Sequence, residues 1–416
     1  MIKFMRRLKP YLLLSTFASL ATIILFIISS YTLQTKTYRP TSETRFPIRR
    51  AGVEEILYYL NKYSREGKKR AAVNNPVKEE EGTCQPQRNI VLLKTHKTGS
   101  STLQNILYRY GDRNNLTFAL PSGDNYFGTP YLFKESFVMQ FPNITHFNIL
   151  ANHARYNRKA FLDVMPVNSF YITSLRHPTT QYESLYKYYK FPNRFHKAIE
   201  EFAENPEKYY LESLHTTGKQ RKQAGVNPML YDLGLQKADL RNWSKIRQKA
   251  IEIERNFGHV VISEYFDESL ILLKEHLCWN LEDVAYFKLN ARADYEVTEL
   301  SAELQKNLSI WNAGDMFLYR QFNETLWRKI RDYGLVKMKT DVEELHKIIE
   351  KLKDKCLDEG SETHLVALRT VVLKHKVKSN LNPEEKYFCT SFTRRPQEYL
   401  NVLRKKMRNL AGTKVS

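Results

Sequence analysis

The sequence predicts an α/β fold with a central parallel sheet flanked by helices, and three observations carry that expectation. From Asn89 onward, short apolar runs alternate with stretches of helical periodicity, the pattern of strand-helix-strand units. Ile90 to Leu93 is an unbroken apolar run, as expected of a parallel strand covered on both faces. It runs straight through a loop of small, hydroxyl and cationic residues into helical spacing at Leu103, Ile106, Leu107 and Tyr110.

Taken in order, the chain opens on residues 1–10, a basic tail, followed by Tyr11 to Leu33, which carries no charge. The uncharged stretch is long enough to cross about 30 Å of hydrocarbon as a helix. Lys3, Arg6, Arg7 and Lys9 crowd its N-terminal flank, which keeps that end in the cytosol and sends the rest across the membrane. The expectation is a type II signal anchor, with a cleaved signal peptide as the weaker alternative. Gln34 to Arg88, polar and broken by Pro40 and Pro47, reads as a lumenal stem, and residues 89–416 as a lumenal domain with a helical C-terminal part. Sequons at Asn115, Asn143, Asn242, Asn307 and Asn323 all lie downstream of the anchor. So do Cys84, Cys278, Cys356 and Cys389, an even number compatible with two disulfides in an oxidising compartment, with three pairings open. A net charge of +20 predicts affinity for polyanions. In a secretory lumen these are nucleotide-sulfate donors, acidic glycans and headgroups, and nucleic acid is excluded by compartment.

Candidate strands are Asn89 to Lys94, Phe147 to Ala151, Phe170 to Leu175 and His259 to Ser263. Asp267 to Leu277, Leu300 to Tyr333, Asp341 to Lys355 and Pro396 to Leu410 read as helices, and between Cys356 and Pro396 the pattern is poor.

The chemistry starts in the loop Lys94, Thr95, His96, Lys97, Thr98, Gly99, Ser100, Ser101, Thr102. Free N–H groups at a helix start bind an anion, Gly99 lets backbone approach, the hydroxyls donate, and Lys97 adds a point charge. A triphosphatase loop needs Gly-x-x-x-x-Gly-Lys-Ser/Thr; here His96 precedes Lys97 and Val91 holds the other glycine position, so that reading fails. A second strand ends at Arg176, with Pro178 at a first helical position and Ser184 eight residues beyond the arginine. In an open α/β sheet ligands bind at the carboxyl ends of the strands, which puts Arg176 beside Lys97, and a guanidinium suits a terminal phosphate. A third strand end, Asn148 to Tyr156, delivers His153, a candidate base for a hydroxyl near neutral pH; His96 and His177 lie near the same cleft. Glu264 and Asp267 could contact an acceptor or cap the next helix. No metal pair is evident from the spacing.

The strand, Lys-Thr-Gly-Ser-Ser-Thr turn and helix resemble the 5′-phosphosulfate loop of sulfotransferases, and Arg-x-Pro with a serine eight residues on resembles their 3′-phosphate motif. The pieces LKTHKTGSSTLQNILYRYG, NHARY, LRHP, ISEYFDESLILLKEHLCWNLEDVAYFKLNAR and LYRQFNETLWRKI together resemble the galactose 3-O-sulfotransferases, most closely those acting on galactosylceramide. The resemblance implies a Golgi enzyme with 3′-phosphoadenosine 5′-phosphosulfate (PAPS) as donor, no metal, and a P-loop-like sulfotransferase fold. It implies that Lys94, Thr95, Lys97, Thr98, Gly99, Ser100, Ser101 and Thr102 cradle the phosphosulfate, that Arg176 and Ser184 bind the 3′-phosphate, and that Lys97 and His153 are catalytic. The implied acceptor is a terminal β-galactose on a glycolipid. Galactose on glycoprotein oligosaccharides and a glycosaminoglycan are the alternatives, and a homodimer is compatible with it.

Overall fold

Ile90–Leu93 form strand β1 with all four side chains buried, the burial on both faces that the unbroken apolar run requires. The computed structural model describes residues 84–215, 225–289, 300–367 and 370–412. The expected tail, the anchor and most of the stem lie outside these. Among the described residues no helix is long and apolar enough to cross a membrane.

Beyond β1 come helix α1 (Ser100–Arg113), β2 (Phe118–Ala119), β3 (Tyr126–Leu132), β4 (Ile149–Leu150), β5 (His153–Arg155), α2 (Arg158–Val164), β6 (Phe170–Leu175) and α3 (Pro178–Tyr188). Short helices α4 (Phe191–Phe195), α5 (Ile199–Glu204), α6 (Pro206–His215) and α7 (Pro228–Asp232) lead to α8 (Trp243–Asn256), β7 (His259–Ile262), α9 (Phe266–Leu277) and α10 (Leu281–Val284). Then follow α11 (Ala302–Trp311), α12 (Ala313–Tyr333), α13 (Leu335–Cys356), the hairpin β8 (Leu357–Ala367) and β9 (Thr370–Val377), α14 (Pro383–Thr393) and α15 (Pro396–Leu410).

The main sheet has five strands in the order β2-β4-β1-β6-β7. Every pairing in it is parallel, with Val91 opposite both Leu150 and Tyr171, and Leu175 opposite Ile262. The expected α/β fold with a parallel sheet flanked by helices is what forms. All four expected strands are present, trimmed by a residue or more except Phe170–Leu175. Leu300 to Tyr333 divides into two helices at Asn312, whose side chain and backbone both bond back to the Leu308 carbonyl.

Two features outside the expected elements matter for the site. β3 and β5 form a separate parallel pair that sets Tyr126 opposite His153. The C-terminal helices brace α1: Asp112 accepts hydrogen bonds from Tyr387 Oη (2.6 Å), Tyr399 Oη (3.3 Å) and Lys406 Nζ (2.8 Å). The Arg109 guanidinium lies 3.8 Å over the Phe392 ring. The cysteines pair as Cys84 with Cys278 and Cys356 with Cys389, one of the three pairings left open.

Candidate active site

The carboxyl ends of β1, β6 and β7 meet around the loop between β1 and α1. Lys97 (φ 62°) and Gly99 (φ 73°) both adopt left-handed backbone, which folds the loop tightly before the helix starts. At Gly99 a Cβ would meet only the Phe266 ring at 3.5 Å, so conformation rather than space is what favours glycine there. The first turn of α1 holds no acidic residue, leaving its N–H groups and dipole available to an anion.

Hydroxyls stitch the loop to the strands. Thr98 Oγ1 lies 2.7 Å from Ser174 Oγ, Thr95 Oγ1 donates to the Ser174 carbonyl, and Ser100 Oγ donates to the Thr95 carbonyl at 2.8 Å. Ser263 Oγ, just past β7, sits 2.8 Å from the Thr98 carbonyl and 3.0 Å from that of Leu175. Thr95 and Thr98 are thus fully buried and hold the loop's shape; Ser101, partly exposed, is placed in the first turn of α1. Thr102 Oγ1 accepts from Leu289 N–H at 3.4 Å. Lys94 is buried, and its Nζ donates to Gln104 Oε1 at 2.6 Å. Burial pushes this ammonium down to about 7, because a charge out of water is costly. Gln104 passes the contact on to Tyr108 and Asn125, and Tyr108 to Asn152 beyond β4.

Arg176 arrives from β6 as expected. Its Nη1 reaches the Lys97 carbonyl (3.4 Å) and its Nε bonds Thr180 Oγ1 (3.1 Å), while Ser184 is buried in the middle of α3. Glu264 does not cap the following helix: it accepts from His177 N–H at 2.8 Å and from Tyr319 Oη at 3.3 Å, fixing the start of α3. Asp267 accepts from Tyr286 Oη and lies 2.8 Å from His346 Nε2.

The three candidate histidines separate. His177 packs against Tyr319. His96 and His153 stack face to face, centroids 4.4 Å apart at 15°, and Tyr126 stacks on His153 at 4.8 Å. Burial first, then the Lys94 and His96 charges, hold His153 well below the usual imidazole range. His96 is buried; its backbone N–H and its Nδ1 both lie 2.8 Å from Asp232 Oδ2. Lys97 Nζ sits 4.1 Å over the Tyr188 ring, and Tyr189 Oη contacts Tyr126 Oη at 3.2 Å.

Of the aromatic residues interleaved with lysines after Arg176, Tyr182, Tyr186, Phe191 and Phe195 are core, and Tyr188 and Tyr189 line the site. Asp232, Tyr126, Asn125 and Gln104 went unanticipated. Asp232 ends a five-residue helix, Tyr126 lies on a strand that pairs outside the main sheet, and Gln104 sits on α1 just past the loop.

The donor set suits a multiply charged phosphate ester. A helix start free of acids, Lys97 and Arg176 converge on one strand-end edge, and among the described residues no cluster of His, Cys, Asp and Glu could hold a metal.

The sequence profile of the family described as Galactose-3-O-sulfotransferase matches residues 6–379. Galactosylceramide sulfotransferase of Mus musculus is 35% identical over 348 residues, covering 79% of this chain and 81% of that protein. The Homo sapiens protein of the same name is 39% identical over 294 residues, 69% of this chain and 68% of its own. Galactose-3-O-sulfotransferase 2 of Homo sapiens is 38% identical over 280 residues, 66% of this chain and 69% of its own. On these matches the chain belongs to the galactose-3-O-sulfotransferase family.

Proposed function

We propose that this protein transfers the sulfuryl group of PAPS to the 3-hydroxyl of a terminal β-galactose, on galactosylceramide or a related glycolipid, as a single-pass type II enzyme of the Golgi membrane. The observation that carries the reading is the convergence of Lys97, Arg176 and the α1 N-terminus beside the His96–His153 stack.

In this reading, Lys97 and the N–H groups from Thr98 to Ser101 hold the phosphosulfate, and Arg176 with Ser184 holds the 3′-phosphate. The bound donor supplies an activated sulfur with a phosphate leaving group. Lys97 stabilises the charge that develops on the departing phosphate oxygen. An imidazole of the stacked pair, His153 by the sequence expectation, takes the proton of the attacking hydroxyl. Lys94 lies beneath the loop and acts on it through Gln104.

For the acceptor, Tyr188, Tyr189 and Tyr126 offer ring faces to the apolar side of a galactose and hydroxyls to its polar edge. Relatives named for galactosylceramide and for galactose alike support the sugar. A short stem behind an anchor would make a lipid acceptor reachable.

The test is radiolabelled PAPS with the detergent-solubilised full chain against galactosylceramide, lactosylceramide, a Galβ1-4GlcNAc oligosaccharide and desulfated heparan, with linkage analysis of the product. Sulfate at the galactose 3-position of the lipids is expected. Preference for the free oligosaccharide discards the lipid acceptor, and sulfation of heparan alone overturns the reading.

A further inference from the structure

We propose that Asp232 is a positioning residue that holds His96 so that its Nε2, rather than His153, accepts the proton of the attacking hydroxyl. The proposal rests on the sulfuryl-transfer reading above and assigns the base within it.

The carboxylate makes two contacts through one oxygen. Asp232 Oδ2 accepts the His96 backbone N–H at 2.8 Å and lies 2.8 Å from His96 Nδ1. The first contact alone would pin the loop. The second fixes the tautomer, because an ionised carboxylate can only accept, so Nδ1 carries the hydrogen and Nε2 is left with its lone pair. That Nε2 is buried and has no hydrogen-bond partner among the described residues. Buried polar atoms are nearly always satisfied, and an acceptor hydroxyl bound beside the ring would supply the missing partner.

His96 is held from three sides. Gln181 Nε2 donates to its carbonyl at 2.8 Å, Asp232 takes its N–H and Nδ1, and His153 covers a ring face. Asp232 is fixed in turn. It closes α7, whose Met229 and Leu230 N–H groups are both bound by Asp315 at 2.9 Å, and its carbonyl accepts Tyr156 N–H at 3.0 Å. Among the described residues His153 has no carboxylate partner: its hydrogen bond is to the Lys94 backbone, its Nδ1 is enclosed and unbonded, and burial with the Lys94 and His96 charges opposes protonation. Its ring, with Tyr126 behind it, forms a wall that sets the plane of His96.

In the step itself the galactose O–H bond breaks, its proton passes to His96 Nε2, and the oxygen forms a bond to sulfur. The bond from sulfur to the phosphate oxygen breaks and its electron pair leaves on adenosine 3′,5′-bisphosphate (PAP). Asp232 stays ionised and stabilises the imidazolium.

The experiment compares Asp232→Asn, Asp232→Glu and wild type as solubilised full chains, reading kcat and KM, PAP affinity by calorimetry, and the His96 tautomer by 15N NMR of labelled imidazole. Asn keeps an oxygen for the backbone N–H and removes the charge. Asp232→Asn should lower kcat by about 10²-fold or more, leave PAP affinity within about threefold, and mix the Nε2-protonated tautomer into the spectrum; Asp232→Glu should recover part of kcat. A kcat within threefold of wild type, or a kcat loss matched by equal losses of PAP affinity and melting temperature, overturns the proposal and leaves Asp232 a loop pin. A wild-type protein that binds PAP yet sulfates no galactoside refutes the function reading and the catalytic half of this proposal, while the spectrum still decides whether Asp232 sets the tautomer.

Discussion

Arg176 offers the sharpest test of the donor site. Its Nη1 contact to the Lys97 carbonyl is long, at 3.4 Å, and its Nε bond to Thr180 Oγ1 spans 3.1 Å within the start of α3. These bonds orient the guanidinium at the start of α3. In Arg176→Ala the structural loss should be modest, about 1 kcal/mol for each of these two bonds. The binding loss should be larger: a charge-assisted, two-pronged contact to a terminal phosphate in a half-buried setting contributes about 2 to 3 kcal/mol. At about 1.4 kcal/mol per tenfold, PAP affinity should fall about 30- to 150-fold. Arg176→Lys keeps the charge and loses the fork, so it should fall between the two. Calorimetry with PAP on protein whose melting temperature is checked reads this directly. A dissociation constant within threefold of wild type in a folded Arg176→Ala protein would refute the placement of the phosphate.

Three further outcomes follow from the same geometry. His153→Phe keeps a stacked ring and should cost turnover about tenfold, whereas His96→Phe should cost about 10²-fold or more; the reverse order in steady-state assays would return the base to His153. Stability should fall as pH drops below about 6.5: burial holds His153 and His259 well below the usual imidazole range and His276 at about 4. Their folded forms resist protonation while the unfolded chain takes up protons, so the stability is full above the unfolded value and is lost on acidification; a melting temperature flat from pH 7 to 5 would contradict this. Peptide N-glycosidase should lower the apparent mass of the cell-expressed protein through Asn115 and Asn143, both exposed, and not through Asn323, whose Oδ1 is enclosed on α12; an unchanged shift in the Asn115→Gln, Asn143→Gln double variant would count against lumenal exposure of those turns.

The loop after β1 and the strand end at Arg176 were legible because their signals are local. A run of apolar residues ending in Lys94 to Thr102, and a strand ending in Arg176 before Pro178, are contiguous in sequence and carry their own geometry. The surroundings of His96 and His153 were not, because they are assembled from separate segments. Tyr126 reaches His153 only through the β3–β5 pairing, and Asp232 reaches His96 across 136 residues of chain from a short helix without periodicity. The aromatic run after Arg176 divided because α3 turns Tyr182 and Tyr186 into the core, where their hydroxyls find the Gly225 and Lys197 carbonyls. Pattern alone cannot say which rings on such a helix stay outside.

One consequence joins the two halves. His96 and Lys97 are consecutive, yet the first is tied to Asp232 on α7 and the second sits over Tyr188 at the end of α3 and beneath Arg176 through its carbonyl. The positive φ at Lys97 is what permits neighbouring residues to serve different partners, since an extended residue would carry the loop away from one of them. A non-glycine residue in left-handed backbone costs about 1 kcal/mol or more, so the surrounding bonds from Thr98, Ser100 and Ser263 must hold it. Ser263→Ala removes the bond to the Thr98 carbonyl and leaves the Lys97, Arg176 and His96 side chains unchanged. If the loop couples the two sites, this distant change should weaken PAP binding and lower kcat together. Loss of only one of the two would mean that His96 and Lys97 are set independently, and that the shared loop is an accident of chain order rather than the device that aligns acceptor hydroxyl and leaving phosphate.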